Sequence, residues 1–148
     1  MERFGRQVAM NSELITLLNR NVSDNNTIVY SLRQLSNDIL PFTQTNDFLE
    51  YFYIYFKNSN IVVAPNNVYF RPGQFYEFNR FENVAYEDWK SLILQSHTTV
   101  IPSTEYVTDD IKTEVITFIQ PLPLHSYPEP SGALVVPIPQ SKMNVNLQ

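Results

Sequence analysis

The segment Phe48-Leu-Glu-Tyr-Phe-Tyr-Ile-Tyr-Phe56 decides the fold, because apolar and tyrosine side chains alternate along its second half. Aromatic and β-branched residues favour strands, and successive strand side chains point to opposite faces of a sheet. The alternation assigns Phe52, Ile54 and Phe56 to one face and Tyr51, Tyr53 and Tyr55 to the other. The segment therefore predicts a strand with one apolar face and one face that carries three hydroxyl groups.

The sequence after this strand predicts a hairpin and further strands. Lys57 to Asn60 supplies turn residues, and Ile61 to Ala64 resumes as a strand that ends at Pro65. Further strands are predicted at Thr98 to Val107, at Lys112 to Gln120 and at Ala133 to Ile138. A proline-rich connection at 121 to 131 joins the last two and is too short to divide domains.

Helical patterns flank the hairpin on both sides. Apolar residues at helical spacing predict two N-terminal helices over about 3–40, the second ending before Pro41. Tyr86, Trp89 and Ile93 predict a short helix, whereas residues 66 to 83 show no clean period. The predicted order is two helices, a hairpin, a helix and further strands, which indicates an α+β fold. We expect one domain over 1–148, with the sheet and its cap at about 47–140.

Composition excludes several classes of function. A hydrophobic content of 43% supports a folded core, while a net charge of −5 without a basic cluster disfavours nucleic-acid binding by this segment. The chain has no cysteine, so disulfides and thiolate sites are excluded. No stretch approaches the roughly 18 to 20 apolar residues of a membrane span, so the segment itself is expected to be soluble.

The sequence shows no catalytic apparatus. His97 and His125 stand far apart, with no partner at metal-ligand spacing. Gly-x-Ser-x-Gly is absent, and three glycines do not make a phosphate-binding loop. We therefore expect no enzyme activity, no metal and no cofactor, and a hydrolase ranks third among the functional hypotheses.

Four segments together carry a family resemblance. They are Asp47-Phe-Leu-Glu-Tyr-Phe-Tyr-Ile-Tyr-Phe-Lys-Asn-Ser-Asn-Ile-Val-Val-Ala64, Tyr86-Glu-Asp-Trp89, Ile116-Thr-Phe-Ile-Gln-Pro-Leu-Pro123 and Ser131-Gly-Ala-Leu-Val-Val136. Their order and spacing resemble the extracellular Cache region of bacterial AraC-type transcriptional regulators with membrane-anchored sensors. The resemblance extends over nearly the whole chain from about residue 10.

The resemblance implies a PAS-like fold, with a five-stranded antiparallel sheet, long N-terminal helices on one face and a ligand pocket on the other. It implies an extracytoplasmic domain that is membrane-anchored in the full-length protein. The output would be a helix-turn-helix module that controls transcription, or alternatively a histidine kinase of a two-component system. Arg80 and Trp89 do not reproduce the Arg-x-Trp arrangement of amino-acid-binding Cache domains, so an amino-acid ligand is unsupported.

The leading hypothesis is a signal-transduction sensor whose pocket takes an unidentified small molecule. Candidate ligand-binding residues combine aromatic contact area with polar groups; they are Tyr53, Tyr55, Tyr69, Arg71, Tyr86, Trp89 and Thr117. Core packing competes with ligand contact for each of these aromatic residues. The alternative hypothesis is a ligand-free interaction or spacer lobe of a tandem Cache receptor that mediates dimerisation, for example a homodimer through the N-terminal helix.

Overall fold

A computed structural model describes residues 2–19, 26–45, 49, 51–123 and 129–142. Its helices are α1 (Glu2–Ala9), α2 (Ser12–Leu18), α3 (Asn26–Thr45), α4 (Pro72–Phe78) and α5 (Tyr86–Ile93). Its strands are β1 (Tyr53–Phe56), β2 (Ile61–Ala64), β3 (Asn67–Tyr69), β4 (Asn79–Phe81), β5 (Thr99–Thr108), β6 (Ile111–Leu122) and β7 (Gly132–Pro139). The α+β class predicted from the sequence is confirmed.

The strands form one antiparallel sheet in the order β3-β2-β1-β7-β6-β5-β4. Within the described residues this sheet has seven strands, two more than the five predicted. The additional strands β3 and β4 have three residues each and lie at the two edges. Both lie within residues 66 to 83, where each element is too short to leave a period in the sequence.

The sheet accommodates two prolines: Pro121, which was predicted to lie in the connection after Gln120, and Pro137, which was predicted within the last strand. Strand β6 continues through Pro121 to Leu122, while its pairing with β5 ends at Ile119. Pro121 therefore pairs with β7 alone. Because β5 does not pair with it, the missing N–H of the proline costs no hydrogen bond to β5. Pro137 in β7 likewise lies beyond the last residue of that strand that pairs with β1.

The N-terminal helices pack on one face of the sheet, as predicted. Phe52, Ile54 and Phe56 lie in a buried core with residues of all three helices, including Leu14, Leu35 and Ile39. The Gln120 side chain donates to the Gly5 backbone oxygen at 3.0 Å and fixes α1 against the centre of the sheet. The apolar face of the first strand is therefore the face that contacts the helices.

The bounds of these helices differ from the prediction of two helices over about 3–40. The first stretch is divided at Met10 and Asn11, where the Asn11 side chain accepts from the Leu14 amide at 3.1 Å and caps α2. The α3 helix continues past Pro41 to Thr45, whereas the sequence predicted its end before that residue. Phe42 packs edge-on against Phe4 at 5.3 Å, and this contact holds the extra turn against the core.

None of the helices in the described part of the chain combines the length and the apolarity needed to cross a membrane.

Candidate functional site

The tyrosine face of β1 lies under a layer of aromatic side chains from α4 and α5. Trp89 of α5 donates from Nε1 to the Tyr53 hydroxyl at 3.0 Å, and its ring centroid lies 5.5 Å from that of Tyr55. Phe75 of α4 packs edge-on against Tyr53 at 4.8 Å. We call Tyr53, Tyr55, Phe75, Tyr76 and Trp89 the aromatic layer.

Local sequence places Trp89 in this layer. Ala85 is extended and precedes α5, and Glu87 and Asp88 occupy the first turn, where carboxylates are favoured. Trp89 and Ile93 are four residues apart and are the buried residues of the helix. The predicted short helix and its buried stripe are thus confirmed.

Tyr76 joins α4 to the segment before α5. Its ring stacks on Trp89 at 4.9 Å, and its hydroxyl donates to the Val84 backbone oxygen at 2.7 Å. Burial raises the pKa of Tyr76 to about 12. The hydroxyl therefore stays protonated and keeps its donor role at neutral pH.

The centre of the aromatic layer, at Tyr53, Tyr55 and Trp89, is closed to solvent. Tyr53 and Trp89 are 0% exposed and Tyr55 is 3% exposed. Burial raises the pKa of Tyr53 far above its usual value and raises the pKa of Tyr55 to about 12. A ligand that contacts the tyrosine face directly must therefore reach it from the edge of the layer.

Two open cavities flank α4 at that edge. The first, which we call the Tyr51 cavity, has a volume of about 950 Å³; its lining includes Tyr51, Tyr69, Phe70, Phe75, Phe78 and Asp109. The second, which we call the Tyr86 cavity, has a volume of about 780 Å³ and is bordered by Tyr76, Arg80 and Tyr86. Arg71, which is exposed, borders both cavities.

Among the described residues, three buried hydroxyl groups on this side of the sheet have no hydrogen-bond partner at ordinary distance and angle; they belong to Tyr51, Tyr106 and Thr117. Burial raises the pKa of Tyr51, and the neighbouring Tyr53, Tyr69 and Asp109 raise it further. Burial likewise raises the pKa of Tyr106, which adjoins the Tyr53 hydroxyl. A buried polar group without a partner costs roughly 1–3 kcal/mol. Of the three side chains, that of Tyr51 lines one of the two cavities, so its hydroxyl is a potential contact for a polar ligand.

The structure divides the candidate residues into three groups. Tyr53, Tyr55 and Trp89 lie in the closed aromatic layer. Tyr69 and Tyr86 each line one cavity and Arg71 lines both. Thr117 is fully buried in β6, two residues from Ile119 of the same core.

Sequence reasoning did not select Tyr51 or Asp109. Tyr51 carries the same alternation signal as Tyr53. It lies two residues before the paired part of β1 and lines the cavity instead of the closed layer. Asp109 leaves no comparable signal, because it lies in the turn between β5 and β6 and meets α4 only in the folded chain. Its amide donates to the Phe78 oxygen at 3.1 Å.

Among the described residues, no group of three or more His, Asp or Glu side chains lies close enough together to hold a metal ion. His97 is exposed, and His125 lies outside the described residues.

Comparison with known protein families and with curated protein sequences finds no match to this chain.

Proposed function

We propose that this chain is the ligand-sensing domain of a bacterial transmembrane receptor, and that the ligand binds in the Tyr51 cavity. The receptor would display the domain on the extracytoplasmic side and control transcription. The PAS-like Cache resemblance motivates the receptor context. One structural observation carries the binding proposal: the buried, unpartnered Tyr51 hydroxyl belongs to a side chain that lines an open cavity of about 950 Å³.

The cavity has the composition of a small-molecule site. Aromatic rings supply contact area, and Gln74 on the lining adds an amide group that can orient a ligand. A ligand group that bonds to the Tyr51 hydroxyl would remove the cost of leaving it unpartnered. Binding would therefore be coupled to a contact that the protein cannot make by itself.

The first strand connects this cavity to the helices. Tyr51 and Tyr53 face the cavity side, and Phe52 and Ile54, which alternate with them, pack against the helices on the opposite face. A ligand shifts a conformational equilibrium only if its affinity differs between the two states. We propose that a small displacement of this strand changes how the helices pack and so transmits the signal.

The experiment is a thermal-shift screen of the chain with amines, sugars, carboxylates and amino acids. At least one compound should raise the melting temperature, and Tyr69→Ala should reduce that shift. The control is Tyr30→Ala, which changes an exposed tyrosine of α3 on the helical side. If no compound stabilises the protein, or if both variants respond equally, the Tyr51 cavity is not the sensing site.

A second candidate function is an interaction or spacer lobe that binds no small molecule. It is favoured by the closed aromatic layer, which fills the centre of the sheet face. Met10 and Ile15, which are 73% and 50% exposed, provide apolar side chains for a contact through the N-terminal helices. Sedimentation of the wild type and of Ile15→Glu distinguishes the two functions: a dimer that this change dissociates, with no stabilising compound in the screen, supports the spacer lobe.

A further inference from the structure

Two aromatic residues of the Tyr51 cavity are unusually exposed for their type. Phe70 and Phe78 are 40% and 55% exposed, and both lie on its rim. Tyr51, Tyr69 and Phe75 form the deeper wall, where Tyr69 packs against Phe75 at 4.8 Å. Five aromatic side chains therefore line this one cavity.

The charges around the cavity favour a positive ligand. Its charged lining residues are Glu77, Asp109 and Arg71, two carboxylates against one guanidinium. The Asp109 carboxylate lies close enough to Tyr51 to contribute to the raised pKa of that hydroxyl. A negatively charged ligand would be repelled by the majority of these charges, whereas a positive one would be attracted.

The faces of aromatic rings also attract cations, because the ring quadrupole presents negative potential there. Cages of aromatic rings are the typical recognition site for quaternary ammonium groups, and a neighbouring carboxylate adds a charge attraction. The Tyr51 hydroxyl, which is buried and unpartnered, could bond to a hydroxyl elsewhere on such a molecule.

We propose that the Tyr51 cavity binds a small organic cation, such as a quaternary ammonium compound that carries a hydroxyl group. This inference rests on the proposed sensing function and specifies the chemical class of its ligand. The rings enclose the ammonium group, Asp109 and Glu77 balance its charge, and the Tyr51 hydroxyl bonds to the polar end.

The test uses choline and its uncharged carbon analogue, in which carbon replaces the ammonium nitrogen. The two probes have nearly the same shape, so a difference in their calorimetric affinity measures the contribution of the charge. Choline should bind roughly twofold to fivefold more tightly than the analogue, because one or two exposed charge interactions contribute a factor of that size. Equal affinities of the two probes would show that the charge contributes nothing to binding and would overturn the inference.

Two adjacent aspartates provide a matched pair of variants. Asp109 and Asp110 both have positive φ, 49° and 66°, which asparagine also tolerates. Asp109→Asn should weaken choline binding about twofold to fivefold, whereas Asp110→Asn should leave it unchanged, because Asp110 is not part of the lining. Arg71→Ala should strengthen binding by a similar factor, because it removes the positive charge from the rim.

The outcomes separate this inference from the proposed function. If carboxylates bind and Asp109→Asn strengthens their binding, the sensing function stands and the cationic class is wrong. If neutral sugars bind and neither aspartate variant matters, the class is also wrong. If no compound of any class binds, the proposed function itself fails.

Discussion

The indole Nε1 of Trp89 donates a hydrogen bond to the hydroxyl of Tyr53 at 3.0 Å, and both side chains are 0% exposed. The bond joins α5 to the central part of the sheet across 36 residues of chain. It also orients the only tryptophan of the chain at the centre of the aromatic layer.

Tyr53→Phe should destabilise the fold, because the change leaves the buried indole N–H of Trp89 without its acceptor. We expect the free energy of unfolding to fall by about 1–3 kcal/mol, measured by urea denaturation. Tyr30→Phe is the control, since Tyr30 is 68% exposed, and it should change that free energy by less than about 0.5 kcal/mol. Equal effects of the two changes would show that the Trp89–Tyr53 bond contributes nothing.

Gly132→Ala should destabilise the pairing of β7 with β1. A Cβ at this position would collide with the backbone oxygen of Tyr55, which cannot move without disturbing the ladder. We expect a loss of about 1–3 kcal/mol in the free energy of unfolding. Gly73→Ala is the matched control: the nearest atom to its Cβ is 3.9 Å away on Tyr86, and alanine in α4 should be neutral or stabilising by about 0.5–1 kcal/mol. The reverse order of the two stabilities would contradict the strand register described above.

Ser36→Ala should loosen the attachment of α3 to the β2–β3 turn. The Ser36 hydroxyl lies within donating distance of two backbone oxygens, at 2.6 Å from that of Ala64 and 3.1 Å from that of Asn67. A separate backbone bond, from the Asn66 amide to the Ser36 carbonyl oxygen at 3.2 Å, is kept in the alanine variant. Loss of the buried hydroxyl should lower the free energy of unfolding by roughly 1–2 kcal/mol. Asn37→Ala changes the exposed neighbour on the same helix and should have almost no effect. A negligible effect of Ser36→Ala in urea denaturation would show that apolar packing alone holds α3 in place.

The buried tyrosines should make the fold sensitive to alkali. Burial raises the pKa of Tyr55 and Tyr76 to about 12, whereas the unfolded chain releases these protons near 10. Below pH 10 both states hold the protons and stability is constant; between pH 10 and pH 12 only the unfolded state loses them, so stability falls. Urea denaturation at several pH values, combined with phenolate absorbance, measures this. A free energy of unfolding that stays level through that range would contradict the closed aromatic layer.

The sequence predicted those strands and helices that leave a regular pattern of apolar residues along the chain. The alternation from Tyr51 to Phe56 predicted both faces of β1, and the spacing of Trp89 and Ile93 predicted α5 and its buried side. It did not predict β3, α4 and β4, because elements of three to seven residues do not complete a recognisable period. The sequence also predicted that α3 ends before Pro41, because helices usually end before a proline. That rule does not include the tertiary contact between Phe42 and Phe4, which lies beyond the predicted end.

The candidate site was predicted only in part for a related reason. Tyr69 and Arg71 were selected and line the Tyr51 cavity, but Tyr53 and Trp89 were selected and lie in the closed layer behind it. Residue type alone does not distinguish an aromatic side chain that packs a core from one that lines a cavity. Asp109 joins the cavity through contacts between α4 and a distant turn, which no local pattern encodes.

The most direct test of the account is hydrogen exchange with and without the compound that stabilises the protein most in the thermal-shift screen. A ligand in the Tyr51 cavity should slow amide exchange in α4 and around Asp109, and should change exchange in the helices that pack on the other face of β1. Unchanged exchange in α4 and around Asp109, with protection confined to the outer surface of the helices, would contradict ligand sensing at this cavity.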